Sequence, residues 1–186
     1  MEEWRQRKDL AAFVLSGDLE AFAEAIQELN PFESITNVGS EISFQLHSSR
    51  LASVDFEVNG EHVIPNEIKS LSTSGKLTAK KMPQGRFYEL YQDHVCSAAL
   101  RIALELFSIL PLDTILVTAC AKTVNPQTGH LDSTPVLSVL IPRSTLEQLN
   151  LDQIDPSDSM RNFKHNMGFK RAQGFYPVSK LDPENL

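Results

Sequence analysis

Cysteine is scarce in this sequence: 186 residues contain two, so no disulfide framework is available to the fold. Cys96 falls in a long stretch of helical periodicity, and Cys120 falls in the apolar run 115–121. No pair of histidines or cysteines has the spacing of metal ligands, so we predict no metal site. Two free thiols are typical of a reducing compartment, and we expect a cytoplasmic protein.

Long uncharged apolar runs are also missing. The longest apolar stretch contains Arg101 and Glu105, which disqualifies it as a transmembrane helix. The opening residues MEEWRQRKDL mix acids with bases and lack the apolar centre of a secretory signal. We therefore expect a soluble protein without a membrane partner.

Positive charge is in deficit, because 17 basic residues face 24 acidic ones and leave a net charge of −7. This balance argues against an affinity of the whole protein for nucleic acid or anionic membranes. Residues 69–86 and 159–180 nevertheless carry bases without any acid. The predicted partner-binding residues there are Lys69, Lys76, Lys80, Lys81, Arg86, Lys164, Lys170 and Arg171. We expect them to form a local basic surface for a protein or nucleic-acid partner.

Signatures of common enzyme classes are absent as well. The sequence has no G-x-S-x-G and no G-x-G-x-x-G. Ser74-Gly75-Lys76 resembles the end of a phosphate-binding loop, but Ser70 and Leu77 occupy the positions where that loop needs Gly and a hydroxyl residue. We predict no cofactor from these motifs.

Helical and alternating patterns divide the chain into two parts. Helices are predicted over 2–15 and 18–29, with Asp18 as the N-cap of the second. We assign residues 1–40 to an N-terminal helical hairpin and 41–186 to an α+β core, together forming one structural domain.

Strands are predicted over 42–46 and 52–58, where apolar and polar residues alternate. Asn59-Gly60 then predicts a type I′ hairpin that pairs Asp55 with Ile64. Residues 66–86 are polar and are predicted to form a long loop.

A long helix over 87–110, apolar on most sides, is predicted to lie in the core. Strands over 114–121 and 136–141 follow, and residues 155–167 are predicted to form a helix with Met160, Phe163 and Met167 on one face. The predicted fold class is α+β, with a helical hairpin before a mostly antiparallel sheet packed on one long central helix.

One polar seam runs along the long helix. His94, Arg101 and Glu105 follow one another at helical spacings. They form either a ligand-orienting or acid–base network in a cleft, or a solvent-exposed strip with an ordinary Arg101–Glu105 surface pair.

A nuclease-like arrangement is the alternative site. Asp55 precedes Glu67-Ile68-Lys69, which matches the loose acid…(D/E)-x-K pattern that binds Mg²⁺ and orients water. The predicted hairpin register argues against it, because Glu67 and Lys69 would lie on the face opposite Asp55 unless Pro65 introduces a bulge.

Four segments carry a resemblance to a known family: YQDHVCSAALRIALELFSILP, NPQTGH, LSVLIPRSTLEQLN and IDPSDSMRNFKHNMGFKRAQGF. Over about residues 69–178 the chain resembles an uncharacterised family of conserved bacterial domains. The resemblance implies an intracellular domain of bacterial or phage origin. No activity is attached to this family, so it implies no catalytic residues.

Two functional hypotheses follow from the sequence. The first is a non-catalytic binding or regulatory module that uses the basic loop and basic tail. The alternative is a metal-dependent nuclease with Asp55, Glu67 and Lys69, for which Mg²⁺ would be the cofactor.

Overall fold

The computed structural model describes residues 2–32, 39–124 and 128–185. Its first elements are α1 (Glu2–Ser16) and α2 (Leu19–Leu29). The Asp18 carboxylate accepts hydrogen bonds from the backbone N–H groups of Glu20 and Ala21, at 2.9 and 3.1 Å, and so caps α2. The predicted helical hairpin is therefore confirmed.

The remaining elements form an α+β arrangement. The strands are β1 (Gly39–Leu46), β2 (Leu51–Val58), β3 (Glu67–Leu71), β4 (Leu77–Lys81), β5 (Thr114–Val124), β6 (Leu131–Pro142), β7 (Lys164–Met167), β8 (Phe169–Lys170) and β9 (Gly174–Phe175). The helices are α3 (Gln84–Ile109), α4 (Arg143–Leu146) and α5 (Pro156–Ser159), with short 3₁₀ turns at Glu61–Val63, Met160–Asn162 and Pro183–Asn185.

The main sheet has five strands in the order β1-β2-β5-β6-β7. The pair β2–β5 is parallel and the other three pairs are antiparallel. A parallel pair needs a long crossover, and here α3 lies within that connection. The predicted α+β class, with a mostly antiparallel sheet on one long helix, is confirmed.

The hydrophobic core lies between α3 and one face of this sheet. Alternation along the strands sends Val54, Val117 and Val139 to the same face, because these residues are register partners. They join one cluster with the buried α3 residues Val95, Ala98, Ala99, Ile102, Ala103 and Leu106. Each large side chain buried in this way stabilises the fold by about 1.5–3 kcal/mol.

The helical hairpin shares this core. Val14, Phe22 and Ala25 belong to the same buried cluster as the residues of α3 and the sheet. Residues 33–38, which separate the hairpin from β1, lie outside the described ranges. None of the described helices is long and apolar enough to cross a membrane.

The predicted Asn59-Gly60 hairpin is wrong. Gly60 has φ −60°, and Asn59 is not among the described residues with positive φ, so the pair lacks the geometry of a type I′ turn. The chain instead continues into the 3₁₀ turn Glu61–Val63. Both edges of β2 are already paired, one with β1 and the other with β5, which leaves no edge for a following strand.

Two further predictions are corrected. The segment predicted as a loop over 66–86 contains the β3–β4 hairpin and the first turn of α3. The helix predicted over 155–167 stops at Ser159, and residues 164–167 form β7 instead. Backbone pairing of β7 with β6 overrides the helical spacing of the apolar residues. Met160 and Phe163 are buried, as their apolar character indicates.

Candidate functional site

The most exposed ordered element is the β3–β4 hairpin, residues 67–81, which we call the basic arm. It forms a two-stranded sheet of its own, and every residue of both strands is exposed. The register pairs Glu67 with Lys81, Ile68 with Lys80 and Lys69 with Ala79. Five-residue strands extend about 17 Å at the usual rise of a β-strand.

The lysines are distributed over the whole arm. Because register partners share a face, Lys69 and Lys81 lie on one face of the ribbon and Lys80 on the other. Lys76 follows the turn at the tip, where Gly75 has φ +77°. The arm thus presents positive charge on both faces and at its end.

Local polar contacts organise the arm. Ser70 Oγ lies 2.8 Å from Thr78 Oγ1 across the strands, and the Lys76 N–H donates to Ser72 Oγ at 3.0 Å. At the base, the Met82 N–H donates to the Asn66 carbonyl at 2.8 Å and brings the two ends together. An isolated hairpin is marginally stable, so these contacts hold a segment that receives little help from the core.

The two predicted basic segments meet beside the first turn of α3. Arg86 and Arg171 both contact Glu89, at 3.8 and 2.7 Å. Gly85 permits this approach, since a Cβ there would lie 3.2 Å from Arg171 Nε. Arg86 belongs to the first basic segment and Arg171 to the second. The two segments therefore meet at the Glu89 carboxylate.

The other basic residues of the second segment diverge. Lys170 lies over the ring of Tyr176, with Nζ 5.5 Å from the centroid. Lys164 pairs in register with Leu140, which places it on the sheet face opposite α3. We call that surface the back face, and Lys164 is therefore separated from the residues around Glu89.

The polar seam of α3 is a surface strip at its second half. Arg101 and Glu105 form an ion pair at 3.8 Å, with 48% and 35% of their side chains exposed. His94 precedes Arg101 by seven residues, or about 10 Å along the helix axis. Its ring is half-buried and stacks on Tyr91, with centroids 6.4 Å apart. The seam therefore divides into an exposed pair and a packed histidine.

The nuclease-like residues lie in different sheets. Asp55 is on the back face of β2, and its Oδ2 lies 2.5 Å from Lys180 Nζ. Glu67 and Lys69 are exposed on the basic arm, beside Lys81 and Ala79. Among the described residues, Asp55 forms its ion pair with Lys180 and not with Lys69, and Glu67 lies apart from both carboxylate oxygens of Asp55 in a separate sheet. Within ranges 2–32, 39–124 and 128–185, no group of three or more His, Cys, Asp or Glu side chains is placed to hold a metal ion.

The cysteine thiols are not activated. Burial raises the pKa of Cys96, and the nearby Asp93 and Asp155 raise it further. Burial also raises the pKa of Cys120, followed by the charge of Asp55. A reactive cysteine needs a lowered pKa, so the surroundings of both thiols favour the inert, protonated form.

A small cavity lies at the carboxyl end of the parallel pair β2–β5. It has a volume of about 250 Å³ and is lined by residues that include Glu57, Glu61, Tyr91, Lys122 and Phe175. Glu57 and Lys122 pair at 2.8 Å, and the Tyr91 hydroxyl donates to the Asn59 carbonyl at 2.8 Å. Burial, followed by the charge of Glu61, raises the pKa of Tyr91 to about 12. These polar groups are engaged with one another within the protein.

A row of polar residues on the back face escaped the sequence reasoning. Its members, register partners across the five strands, are Ser43, Asp55, Thr118, Ser138 and Asn166. Ser43 and Asp55 fall at polar positions of alternating segments and Thr118 and Ser138 interrupt apolar runs, whereas Asn166 carries no such signal. The row becomes visible once the strand order and register are known.

Comparison of the chain with protein-family models, with curated proteins and with solved structures finds no match. The resemblance to a bacterial domain family therefore stays a prediction.

Proposed function

We propose that this protein is a non-catalytic binding module that engages nucleic acid through the basic arm. The observation that carries the proposal is the placement of lysines on both faces and at the tip of an exposed two-stranded ribbon. Exposed elements with few ties to the core are where binding function is commonly found.

The shape of the arm favours a groove over a flat surface. The major groove of duplex DNA is about 12 Å wide and admits a two-stranded β-ribbon. In a groove, Lys80 on one face and Lys69 and Lys81 on the other all approach phosphates. A flat acidic protein surface would meet the lysines of one face only. Polar Ser70 and Thr78, which face the same side as Lys80, add hydrogen-bonding groups for base edges or phosphates.

Charge separation in the molecule directs the arm to its partner. The arm carries four lysines and one glutamate, a net charge of +3, and the rest of the chain therefore carries a net charge of −10. A polyanion is repelled by the acidic body and attracted by the arm. Binding is therefore expected to be weak and centred on the arm, with Arg86 and Arg171 near its base as further contacts.

Charge reversal of the arm tests the proposal. We expect the triple variant K76E/K80E/K81E to bind a labelled DNA duplex about tenfold or more weakly than the wild type, because each lost phosphate contact lowers affinity. The melting temperature should stay unchanged, since all three side chains are exposed. Fluorescence anisotropy and thermal unfolding measure the two quantities.

A matched control reverses three exposed basic residues outside the arm, Arg5, Arg161 and Lys164. This control changes the net charge by the same amount. It should bind the DNA duplex nearly as tightly as the wild type, because the lysines of the arm are unaltered. Equal loss in both variants, or unaltered binding by the reversed arm, would contradict the proposal. Binding of polyglutamate but not of DNA or RNA through the same lysines would assign the arm to an acidic protein partner instead.

A further inference from the structure

A segment near the end of the described chain lies across the back face, over the polar row. Residues 176–181, which we call the strap, contact the row at three of its five positions. Within the row, Thr118 and Ser138 are fully buried, with their hydroxyl oxygens 3.2 Å apart. A polar row on a sheet face is therefore covered by an extended peptide.

The strap is held mainly through its backbone. The N–H of Val178 donates to the Pro135 carbonyl at 2.9 Å, and the N–H of Leu181 donates to Ser138 Oγ at 3.0 Å. Asn166 Nδ2 donates to the Ser179 carbonyl at 2.9 Å. Backbone contacts of this kind accept many sequences, and the choice of sequence then falls to the side chains.

One ion pair between side chains joins the strap to the polar row. Lys180 Nζ lies 2.5 Å from Asp55 Oδ2, and about two-fifths of each side chain is exposed. The second carboxylate oxygen, Asp55 Oδ1, is buried and has no hydrogen-bond partner among the described residues. The strap therefore engages one of the two oxygens of this carboxylate.

An arginine fits this carboxylate better than a lysine. A guanidinium offers two parallel N–H donors that bind both oxygens of a carboxylate, whereas an ammonium acts as a point charge. Asp55 Oδ1 is thus the atom at which an arginine in the place of Lys180 would add a hydrogen bond.

We propose that the back face is a binding site for an extended, arginine-containing peptide segment of another protein, and that the strap occupies this site in the same chain with Lys180 in the place of that arginine. Displacement of the strap exposes Asp55, Ser138 and Asn166 to the incoming segment. The site is distinct from the basic arm, and its one charged contact to the strap, Asp55, is acidic.

Peptide binding to the intact chain tests the site. The probe is a labelled peptide of sequence YPVSKLDPEN, residues 176–185, carrying the substitution K180R. We expect it to bind the K180Q chain about fivefold or more tightly than the wild-type chain, because the weakened strap competes less well. The unsubstituted peptide should bind the K180Q chain about threefold or more weakly than the K180R peptide.

The control variants assign binding to the carboxylate. Adding D55N to the K180Q chain should weaken its binding of the K180R peptide about tenfold or more, because the charged partner of the arginine is lost. The variant Lys164→Gln removes an exposed charge of the back face outside the strap contacts and should match the wild type. No preference for the K180R peptide over the lysine peptide, or binding that survives D55N, would overturn the proposal.

Hydrogen exchange on the full-length chain gives a second readout that does not depend on the folding of the D55N variant. The Leu181 N–H reports strap opening because it is bound to Ser138 Oγ. We expect K180R to slow its exchange and K180Q to speed it relative to the wild type. A K180R chain whose Leu181 N–H exchanges no more slowly than that of the wild type would also overturn the proposal.

Discussion

At the scale of single residues, the backbone of the strap approaches the backbone at the end of β7 closely. Gly168 lies where the strap crosses the end of β7. Its N–H donates to the Val136 carbonyl, and its carbonyl accepts from the Tyr176 N–H. A Cβ at this position would lie 2.2 Å from the Tyr176 carbonyl oxygen, a backbone atom that a rotamer change cannot move. Glycine is thus required here for space rather than for its backbone angles.

The substitution Gly168→Ala is predicted to destabilise the protein. Overpacking against backbone costs about 1–3 kcal/mol, and for a chain of this length each 1 kcal/mol lowers the melting temperature by about 2–4 °C. Gly85→Ala is the matched control, because its Cβ would meet only the flexible Arg171 side chain. Thermal unfolding measures both, and equal melting temperatures for the two variants would refute the steric account.

Asp155 is a second residue whose role follows from local chemistry. Its carboxylate accepts hydrogen bonds from the Asp158 N–H at 3.0 Å and from Ser157 Oγ at 2.9 Å, at the beginning of α5. The Asp158 bond, followed by that of Ser157, lowers the pKa of Asp155. A lowered pKa in the folded state means that the contribution is present above the unfolded pKa and is lost as pH falls through the folded value.

The variant Asp155→Ala is therefore expected to lower the free energy of unfolding by about 1 kcal/mol at neutral pH, the usual loss for an N-cap. The difference from the wild type should begin to shrink as the pH falls below about 4, where Asp155 of the unfolded chain becomes protonated, and should vanish below the lowered pKa of the folded state. Urea unfolding across this range measures the effect. A difference that stays constant down to the lowest pH would show that the charge of Asp155 is not involved.

At the scale of elements, the predicted helices and strands were confirmed mostly where the pattern of apolar residues indicates which side chains are buried. The strands β1 and β2 alternate as one buried face requires, the strands β5 and β6 contain apolar runs that are buried on both faces, and α3 is apolar on most sides. The basic arm was missed because strands exposed on both faces carry no such pattern. The turn at Asn59-Gly60 was predicted from local preference, but the pairing of β2 on both edges decided against it.

The candidate sites were harder to predict than the elements. The lysines of the arm were identified from composition, whereas their distribution over two faces required the β3–β4 register. Asp55 was singled out for a pairing with Glu67 and Lys69, but its partner is Lys180, 125 residues further along the chain. Contacts between residues this far apart follow from topology, which a single sequence does not report.

The basic arm should be separable from the fold. Its ends are joined by the Met82–Asn66 hydrogen bond, so a short Gly-Ser link can replace residues 67–81. Because every strand residue of the arm is exposed, we expect the melting temperature of the shortened chain to stay within about 2 °C of the wild type. Thermal unfolding checks this, and a large loss of stability would show that the arm supports the core.

At the scale of the whole molecule, the protein combines an acidic body with one positively charged projection. The body carries a net charge of −10 and the arm +3, as counted from the sequence. On the opposite side of the sheet from α3, the back face offers an acidic position at Asp55 that is filled by the strap. The two proposed surfaces therefore select partners of opposite charge and can be tested independently.

The salt dependence of DNA binding tests the role of the arm most directly. Four lysines on phosphates predict that log K falls with log salt concentration with a slope of about −3 to −4, measured by anisotropy between about 50 and about 200 mM salt. The K76E/K80E/K81E variant should lose both the affinity and this slope, while the control reversed at Arg5, Arg161 and Lys164 should keep the slope. Equal slopes in the wild type and the arm variant would contradict the account.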